Sequence, residues 1–247
     1  MEYRELKTKI MGLFDSEKLA AQAQEWGIYN EMDREIRRIG YATNLTPEII
    51  KRAKKMKVDF ILTHHDTWEF IFGMKRECNA MLQEYQMTHA FFHAPLDDAD
   101  FGTSASLAKA LGINKTKKEL PYADLYYGGR IGELDSEVSF EAFVVTLSEI
   151  LEEPVRQCMN HHGVKKICVA AGGGNLTTEM KIAADKGCDT YVTGEYSLYS
   201  AQYARFVGMN LLVGSHTNTE ILGVQAMAEK LVQGTTVEIE RIWESND

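Results

Sequence analysis

The segment LTPEIIKRAKKMKVDFILTHH, residues 45–65, decides the fold class because a helix signal is followed at once by a strand signal. Thr46 is placed to cap a helix and Pro47 occupies its first position, and apolar residues then recur near a 3.6-residue period. The residues VDFILT (58–63) follow as a short apolar strand. The segment therefore predicts a helix followed by a strand, which is the repeating unit of an α/β fold.

Predicted helices and strands alternate along most of the remaining chain. In the first half, a helix over residues 68–86, with Phe70 on its apolar face, precedes the strand MTHAFF (87–92) and the helix SASLAKAL (104–111). The second half predicts three strands, each followed by a helix: KICVAA (166–171) and 176–187, TYVT (190–193) and 199–208, and NLLV (210–213) and 220–232. This order predicts an α/β fold with mostly parallel sheets.

The length and one irregular segment suggest two domains. A chain of 247 residues is long for a single domain, so we expect two small domains or one large one. Residues 113–139 carry no clear period and are rich in Lys, Tyr, Gly and Asp. We place a boundary there, near residue 125, which gives an N-terminal α/β domain over residues 1–125 and a C-terminal α/β domain over residues 126–247. The last strand is allowed to return to the first domain.

The composition is that of a globular protein with an acidic balance. Asp and Glu number 36 against 27 Lys and Arg, a formal net charge of -9, so broad nucleic-acid binding is not expected. We expect no membrane span and a cytoplasmic location, because no stretch approaches about 18 apolar residues and the N-terminus has no signal-type apolar region. The four cysteines form no C-x-x-C pair, which favours reduced, packed thiols over a zinc or redox site.

Potential metal ligands follow four of the predicted strands. In an open α/β sheet, ligands bind at the carboxyl ends of the strands, because the loops there converge on one crevice. The residues at these ends are His64 and His65, His93 and Asp97, Glu195, and His216 and Glu220. Histidines and carboxylates make a mixed nitrogen and oxygen set, which suits iron, zinc, manganese or nickel better than magnesium.

Spacing alone leaves the role of Glu220 open. His216 and Glu220 are four residues apart, so both can lie on one edge of the first turn of a helix that begins near Thr217. Thr217 and Glu220 also match a capping box, in which the Glu220 carboxylate accepts from the backbone N–H of Thr217. Metal ligation and helix capping stand as equal alternatives.

In the acidic loop PLDDADFG (95–102), one of the three aspartates is expected to face the crevice and the other two are not. Pro95 cannot donate to the sheet ladder, so we expect the strand to end there and Asp97 to face the crevice. Asp98 and Asp100 are expected in solvent or near the positive end of the next helix. Asp97 is therefore the predicted ligand of this loop.

Other polar residues have two interpretations each. His93 and Glu195 could transfer protons as general acid or base, or could orient a ligand. The sequence AGGGN (171–175) follows a strand and opens a helix, so it is either a phosphate-binding loop or a tight turn. His89 lies within a strand and is expected to be packed, whereas His161-His162 precedes a strand and is expected in a solvated turn.

Several motifs together resemble a known family. HH, H-x-P-L-D and G-x-H-x-x-T-E are each weak alone, but this chain has them in the order typical of the Nif-three-like family, whose members are often labelled GTP cyclohydrolase I type 2 homologues. The resemblance covers nearly the whole chain. It rests on six segments: THHDTWEF (63–70), HAPLDDADFGTSASLAKALG (93–112), GGRIGEL (128–134), VAAGGGN (169–175), DTYVTGEYS (189–197) and GSHTNTE (214–220).

The resemblance implies a metal centre and an assembly. It implies a dinuclear site between two α/β domains, in which two divalent transition-metal ions are bound by His64, His65, Asp97, His216 and Glu220. It also implies a homo-oligomer, usually a hexameric ring, and it favours ligation over capping for Glu220. The chain departs from the family pattern at EWGIYNEMD (25–33), where many members have an Asp-Asn-x-Gly-Leu turn, and at Gln202, where many have a histidine.

Two classes of function fit these expectations. The first is a metal-dependent hydrolase whose substrate is a purine nucleotide or a similar small heterocycle. Hydrolysis is expected because two metal ions leave positions for water and lower the pKa of that water towards ~7. The second is a metal-handling or regulatory binding protein without turnover. A hydrolase also needs proton-transfer groups, for which the sequence offers His93 and Glu195.

Overall fold

The computed structural model describes residues 1–245, which form two compact units. The first unit comprises Met1–Leu96 together with the C-terminal segment that starts at Val224, and the second comprises Asp97–Gly223. Neither division falls near residue 125, where the composition predicts a domain boundary. That residue lies in the turn of a β-hairpin of the second unit, so the polar segment belongs to a sheet and not to a linker.

The helices and strands alternate along the chain, and a short 3-10 helix at Ala23–Glu25 precedes the first strand. In chain order, they are α1 (Tyr3–Met11), α2 (Ser16–Ala21), β1 (Trp26–Tyr29), β2 (Arg38–Asn44), α3 (Pro47–Lys55), β3 (Phe60–His65), α4 (Met74–Tyr85), β4 (Thr88–Phe92), α5 (Ala94–Asp98), α6 (Thr103–Ala110), β5 (Thr116–Tyr122), β6 (Tyr126–Ser139), α7 (Phe140–Leu151), β7 (Arg156–Cys158), β8 (Gly163–Ala170), α8 (Thr177–Asp185), β9 (Thr190–Thr193), α9 (Leu198–Val207), β10 (Asn210–Val213), α10 (His216–Val232) and β11 (Glu238–Arg241). The prediction of an α/β fold is confirmed.

The first unit contains a five-stranded sheet with the strand order β1-β4-β3-β2-β11. The pairs β11–β2, β2–β3 and β3–β4 are parallel, and β1 alone in this sheet runs antiparallel to its neighbour. The last strand of the chain therefore lies in the first unit, beside β2. Because β3 and β4 are parallel neighbours, their carboxyl ends lie side by side, and this places the residues that follow them close together.

The helix α3 and the strand β3 form where residues 45–65 predict them. Thr46 caps α3, since its hydroxyl accepts from the backbone N–H of Ile49 at 3.2 Å, and Pro47 occupies the first turn. Ile49, Ile50 and Ala53 are buried on one side of the helix. β3 continues through His65, two residues beyond the predicted strand, so the histidine pair belongs to the sheet.

The helix predicted over residues 68–86 is shorter in the structure. α4 begins at Met74, after Gly73 with a φ of +91°, and residues 66–73 are irregular, with turns from residue 69 onwards. A positive φ is accessible to glycine and interrupts a right-handed helix, which explains the late start. The sequence places Phe70 on the apolar face of this helix, but Phe70 lies in the preceding turns and its side chain is exposed (72%).

The second unit contains a six-stranded sheet with the strand order β5-β6-β8-β9-β10-β7. Both faces of this sheet are covered, because neighbouring residues of β8 enter different hydrophobic clusters. Val169 packs with residues of α6 and α7, and Cys168 packs with residues of α8 and α9. This alternation is what a strand buried on both faces requires.

The second sheet is more antiparallel than the sequence predicts. β8–β9 and β9–β10 are parallel, but β5–β6, β6–β8 and β10–β7 are antiparallel. Two of these antiparallel pairs come from residues 116–139, which form the β5–β6 hairpin although they show no clear period, and the third comes from β7. No helix within residues 1–245 combines the length and apolar character that a bilayer span needs.

Candidate metal centre

Three histidines of the first unit lie close together. His64 and His65 end β3 and are buried, and His93 follows β4 directly. The ring centroids are 4.4 Å apart for His64 and His65, 5.0 Å for His64 and His93, and 5.1 Å for His65 and His93. Each histidine offers one ring nitrogen that lies within 4.8 Å of a ring nitrogen of each of the other two, so this group could hold a metal ion.

The same ring nitrogen of each histidine is anchored on an oxygen atom. Nδ1 lies 2.9 Å from the carbonyl oxygen of Phe92 in His64, 2.9 Å from Oδ1 of Asn44 in His65, and 2.8 Å from Oε2 of Glu25 in His93. Each of these oxygens accepts, so each Nδ1 donates and carries the proton. In the neutral rings the lone pair then sits on Nε2, which is the form of histidine that binds metals.

Glu25 is a site residue that the sequence reading missed. Its carboxylate accepts from Nδ1 of His93, and its carbonyl oxygen accepts from the backbone N–H of His93 at 2.8 Å. The hydrogen bond with His93 is the main cause that lowers the pKa of the Glu25 carboxyl. The only sequence signal was that Glu25 opens the EWGIYNEMD stretch, where the chain departs from the family pattern.

In the second unit, His216 at the start of α10 and Glu220 one turn later face each other. Oε1 of Glu220 lies 3.2 Å from Nε2 of His216, and Glu220 is almost completely buried (3% exposed). The helix begins at His216, and the hydroxyl of Ser215 accepts from the backbone N–H of Asn218 at 3.1 Å. Ser215 therefore caps this helix, and the capping-box alternative for Thr217 does not apply.

Glu195 contacts the other nitrogen of His216. It follows β9, as predicted, and its Oε1 accepts from Nδ1 of His216 at 2.8 Å. A carboxylate on Nδ1 fixes the orientation of an imidazole and increases its basicity. The geometry thus supports the orienting interpretation of Glu195.

The two carboxylates change the protonation of His216. Burial disfavours the charged imidazolium, but the hydrogen bonds and negative charges of Glu220 and Glu195 outweigh it and raise the pKa of His216 to about 9. In the metal-free protein, His216 is therefore charged at neutral pH.

We expect the metal-free protein to lose stability as the pH rises from about 6.5 to about 9. The pKa of His216 is higher in the folded chain than the ordinary value of 6.5, so its stabilising contribution is complete below pH 6.5 and is lost as the pH passes about 9. The loss should amount to about 1–3 kcal/mol of unfolding free energy. Urea unfolding across this range measures it. The His216→Gln variant should show a shallower decline, and parallel curves for the two proteins would contradict the prediction.

The acidic loop is arranged differently from its predicted form. Asp97 lies in α5, is mostly buried, and accepts from the hydroxyl of Thr103 at 2.5 Å. The sequence places Asp98 in solvent or near the positive end of the next helix, but it is also buried. It accepts from the backbone N–H of Tyr127 at 3.2 Å and lies 3.3 Å from the Lys118 ammonium. The Asp100 side chain is 91% exposed, as predicted.

The glycine-rich loop after β8 is shaped around Glu220. Gly172 has a φ of +68°, and its N–H donates to the hydroxyl of Thr219 at 3.0 Å. A Cβ atom at Gly172 would clash with Oε1 of Glu220, so the loop forms a glycine cradle in which Glu220 keeps its position only while residue 172 has no side chain. Within AGGGN, the N–H of Asn175 donates to the carbonyl of Gly173, which is the hydrogen bonding of a tight turn. Phosphate contact by this loop stays a prediction.

Two further histidine predictions are confirmed. His89 is fully buried in β4, and its Nε2 lies 2.7 Å from the hydroxyl of Thr63. Burial lowers the pKa of His89 to about 4, so this ring is neutral at physiological pH. His161 and His162 are exposed and precede β8.

The chemistry of the donors fits a transition-metal ion. Imidazole nitrogens and carboxylate oxygens form the candidate groups in the described part of the chain, and no thiol belongs to them. Cys78 and Cys188 are buried, and burial raises the pKa of both thiols to about 12, so they stay protonated. The fit of these residues to a transition-metal ion rests on the His64–His65–His93 group of the first unit and on the glycine cradle behind Glu220 in the second.

Comparison with known proteins identifies the family. The model of the Duf34/NIF3 family (NGG1p interacting factor 3) matches residues 1–247. Proteins called GTP cyclohydrolase 1 type 2 homolog are 28% identical in Haemophilus influenzae, covering 97% of this chain and 97% of that one, and 27% identical in Methanocaldococcus jannaschii, covering 92% and 93%.

Solved structures agree with this result. A structure described as protein ybgI, of unknown function, matches with a TM-score of 0.83 at 25% identity, covering 100% of this chain and 99% of that one. The structure of reduced HcgD from Methanocaldococcus jannaschii shares the fold, with a TM-score of 0.81 at 24% identity over 98% of both chains. The chain therefore belongs to the Duf34/NIF3 family, the one that its motifs resemble.

Proposed function

We propose that this protein is a metal-dependent hydrolase that acts on a purine nucleotide or a similar small heterocycle. In this proposal, two divalent transition-metal ions, with iron, zinc and manganese as candidates, are bound by His64, His65, Asp97, His216 and Glu220. The observation that carries it is the uniform anchoring of Nδ1 in His64, His65 and His93, which puts the lone pair of each neutral ring on Nε2. The lone pairs of several imidazoles in one small group favour the binding of a cation.

The chemistry of such a site is hydrolytic. Bound ions of this class act as Lewis acids and lower the pKa of water towards ~7, which is what hydrolysis at neutral pH requires. The protein supplies the proton handling. In our proposal, Nε2 of His93 takes a proton from the attacking water, and the Glu25 carboxylate stabilises the imidazolium that forms. Glu195 keeps the ring of His216 oriented.

Aromatic side chains beside His65 support a flat substrate. The Trp68 ring lies 4.5 Å from the His65 ring, and Phe70 stacks on Trp68 at 5.4 Å with an interplanar angle of 27°. Purine rings stack on aromatic faces of this kind. The relatives called GTP cyclohydrolase 1 type 2 homolog carry a name that refers to the same class of substrate.

The test is metal analysis followed by a substrate screen. Purified protein that has been fully loaded should hold about two transition-metal ions per chain, since five nitrogen and oxygen ligands exceed what one open hydrolytic centre needs. The loaded protein should turn over GTP or a related nucleotide. Metal binding without turnover of any nucleotide in a broad panel would favour the metal-handling function, and only trace metal after loading would refute both.

Asp97 should be the one ligand among the three aspartates of its loop. We expect Asp97→Asn to lose metal, and Asp100→Asn, whose side chain is exposed, to bind metal normally. Asp98→Asn should also keep its metal but lose about 1 kcal/mol of stability, because Asp98 is paired with Lys118 and with the backbone of Tyr127. Metal content per chain and urea unfolding measure these effects. Equal metal loss from Asp98→Asn would show that the ligand of this loop is misassigned.

A further inference from the structure

The partner of His65 is an amide, and this makes the tautomer of His65 depend on how the amide is turned. Asn44 has an oxygen that accepts and a nitrogen that donates, on the two arms of one planar group. If Oδ1 faces Nδ1 of His65, then Nδ1 carries the proton and Nε2 the lone pair. If Nδ2 faces Nδ1, the tautomer reverses, and a protonated Nε2 cannot bind a metal ion.

Glu244 determines which arm of Asn44 faces His65. Nδ2 of Asn44 donates to Oε2 of Glu244 at 2.7 Å, and an ionised carboxylate only accepts. Oδ1 of Asn44 is therefore the arm that faces Nδ1 of His65, at 2.9 Å. The three residues form a relay in which each hydrogen bond fixes the direction of the next.

The Glu244 carboxylate cannot easily turn away from this position. Its Oε1 accepts from the backbone N–H groups of Thr43 at 2.6 Å and of Asn44 at 3.2 Å, and backbone N–H groups cannot reverse their polarity. The chain just before it is held as well. Ile242 is buried in the core of the first unit, and the carbonyl of Trp243 accepts from the Arg52 guanidinium at 2.7 Å.

We propose that Glu244 is a positioning residue of the metal centre, which acts through Asn44 to keep the proton of His65 on Nδ1 and the lone pair on Nε2. The inference rests on the proposed function, because it takes His65 to be a metal ligand. It assigns a role in the site to the segment that follows β11, 200 residues from Asn44 along the chain.

The Glu244→Gln variant tests this relay with almost no change in shape. The side-chain oxygen of the new glutamine should stay on the backbone N–H groups, so its amide nitrogen should face Asn44. Two donors cannot pair, and Asn44 should therefore turn its oxygen to residue 244 and its nitrogen to His65. Nitrogen-15 NMR of the metal-free protein at pH 8 should then show the His65 proton on Nε2 in the variant and on Nδ1 in the wild type.

The same substitution should weaken metal binding. We expect the affinity for Zn²⁺, measured by competition with a chelating dye, to fall about tenfold to a hundredfold, which is the range for losing an orienting partner of a ligand. The double variant Asn44→Asp with Glu244→Gln should restore both readouts, because aspartate accepts from residue 244 and from His65 at once. Glu240→Gln removes the same charge from the neighbouring strand, where Glu240 contacts Arg38, and should change neither readout.

The outcomes separate the relay from the proposed function. A wild-type protein that binds no Zn²⁺ would refute the metal centre, and the positioning role of Glu244 with it. If the wild-type protein binds Zn²⁺, and Glu244→Gln keeps both the Nδ1 tautomer of His65 and the affinity for Zn²⁺, the relay is overturned but the metal centre is not. A loss of affinity in Glu244→Gln that the double variant does not restore would also overturn it, because it would show a general disturbance of the segment.

Discussion

The Glu220→Gln variant should lose metal and all metal-dependent nucleotide turnover while its circular dichroism spectrum stays that of the wild type. Glu220 is buried one turn after the start of α10, with Oε1 3.2 Å from Nε2 of His216. The amide has nearly the same shape but no charge, and it is a poor metal ligand. We expect the metal affinity to fall by more than about a hundredfold, beyond the range for losing an orienting partner.

A control on the same helix isolates the role of this carboxylate. Glu229 is exposed on α10 and accepts from the side chain of Gln225 at 2.9 Å, so Glu229→Gln removes one charge far from His216 in sequence. This variant should keep its metal and its turnover. Turnover that survives both chelation and Glu220→Gln would come from another site or from a contaminant, and it would refute the hydrolase proposal.

The parts of the fold that could be predicted from sequence are those with local signals. Thr46 and Pro47 mark the start of α3, and the short apolar runs at 190–193 and 210–213 coincide with β9 and β10. The β5–β6 hairpin has no such signal, because its strands are specified by pairing with each other and with β8. Residues 116–139 therefore resemble a linker between domains when only their sequence is considered.

The candidate site also contains residues that a local sequence signal predicts and residues that no such signal predicts. Strand ends point to His64, His65 and His93 in the first sheet and to His216 in the second, because ligand-binding residues follow the carboxyl ends of parallel strands. Strand ends also point to Glu195, which orients His216, but two other residues with an orienting role could not be found by spacing. Glu25 lies 68 residues from His93 and Glu244 lies 200 residues from Asn44, so only the folded chain brings these pairs together. The number of metal ions, the hexameric ring and the substrate stay predictions.

The Gly172→Ala variant should lose both stability and metal affinity. Gly172 has a φ of +68°, which costs alanine about 1–2 kcal/mol of stability, and the new Cβ would also clash with Oε1 of Glu220. Glu220 is buried and must move to relieve the clash. We expect the variant to fold but to lose metal affinity by about tenfold or more, since a ligand displaced by ~1 Å no longer meets its ion.

Two other glycines separate the causes of this effect. Gly187 has a φ of +76° and a Cβ there would have nothing within 4 Å, so Gly187→Ala should lower stability by the backbone cost alone and leave metal affinity unchanged. Gly173 has no positive φ, and a Cβ there would meet only Cε1 of His216 at 3.8 Å, an ordinary contact. Gly173→Ala should therefore be close to wild type in metal affinity. If Gly172→Ala binds metal as tightly as Gly187→Ala does, the glycine cradle is not what holds Glu220 in place.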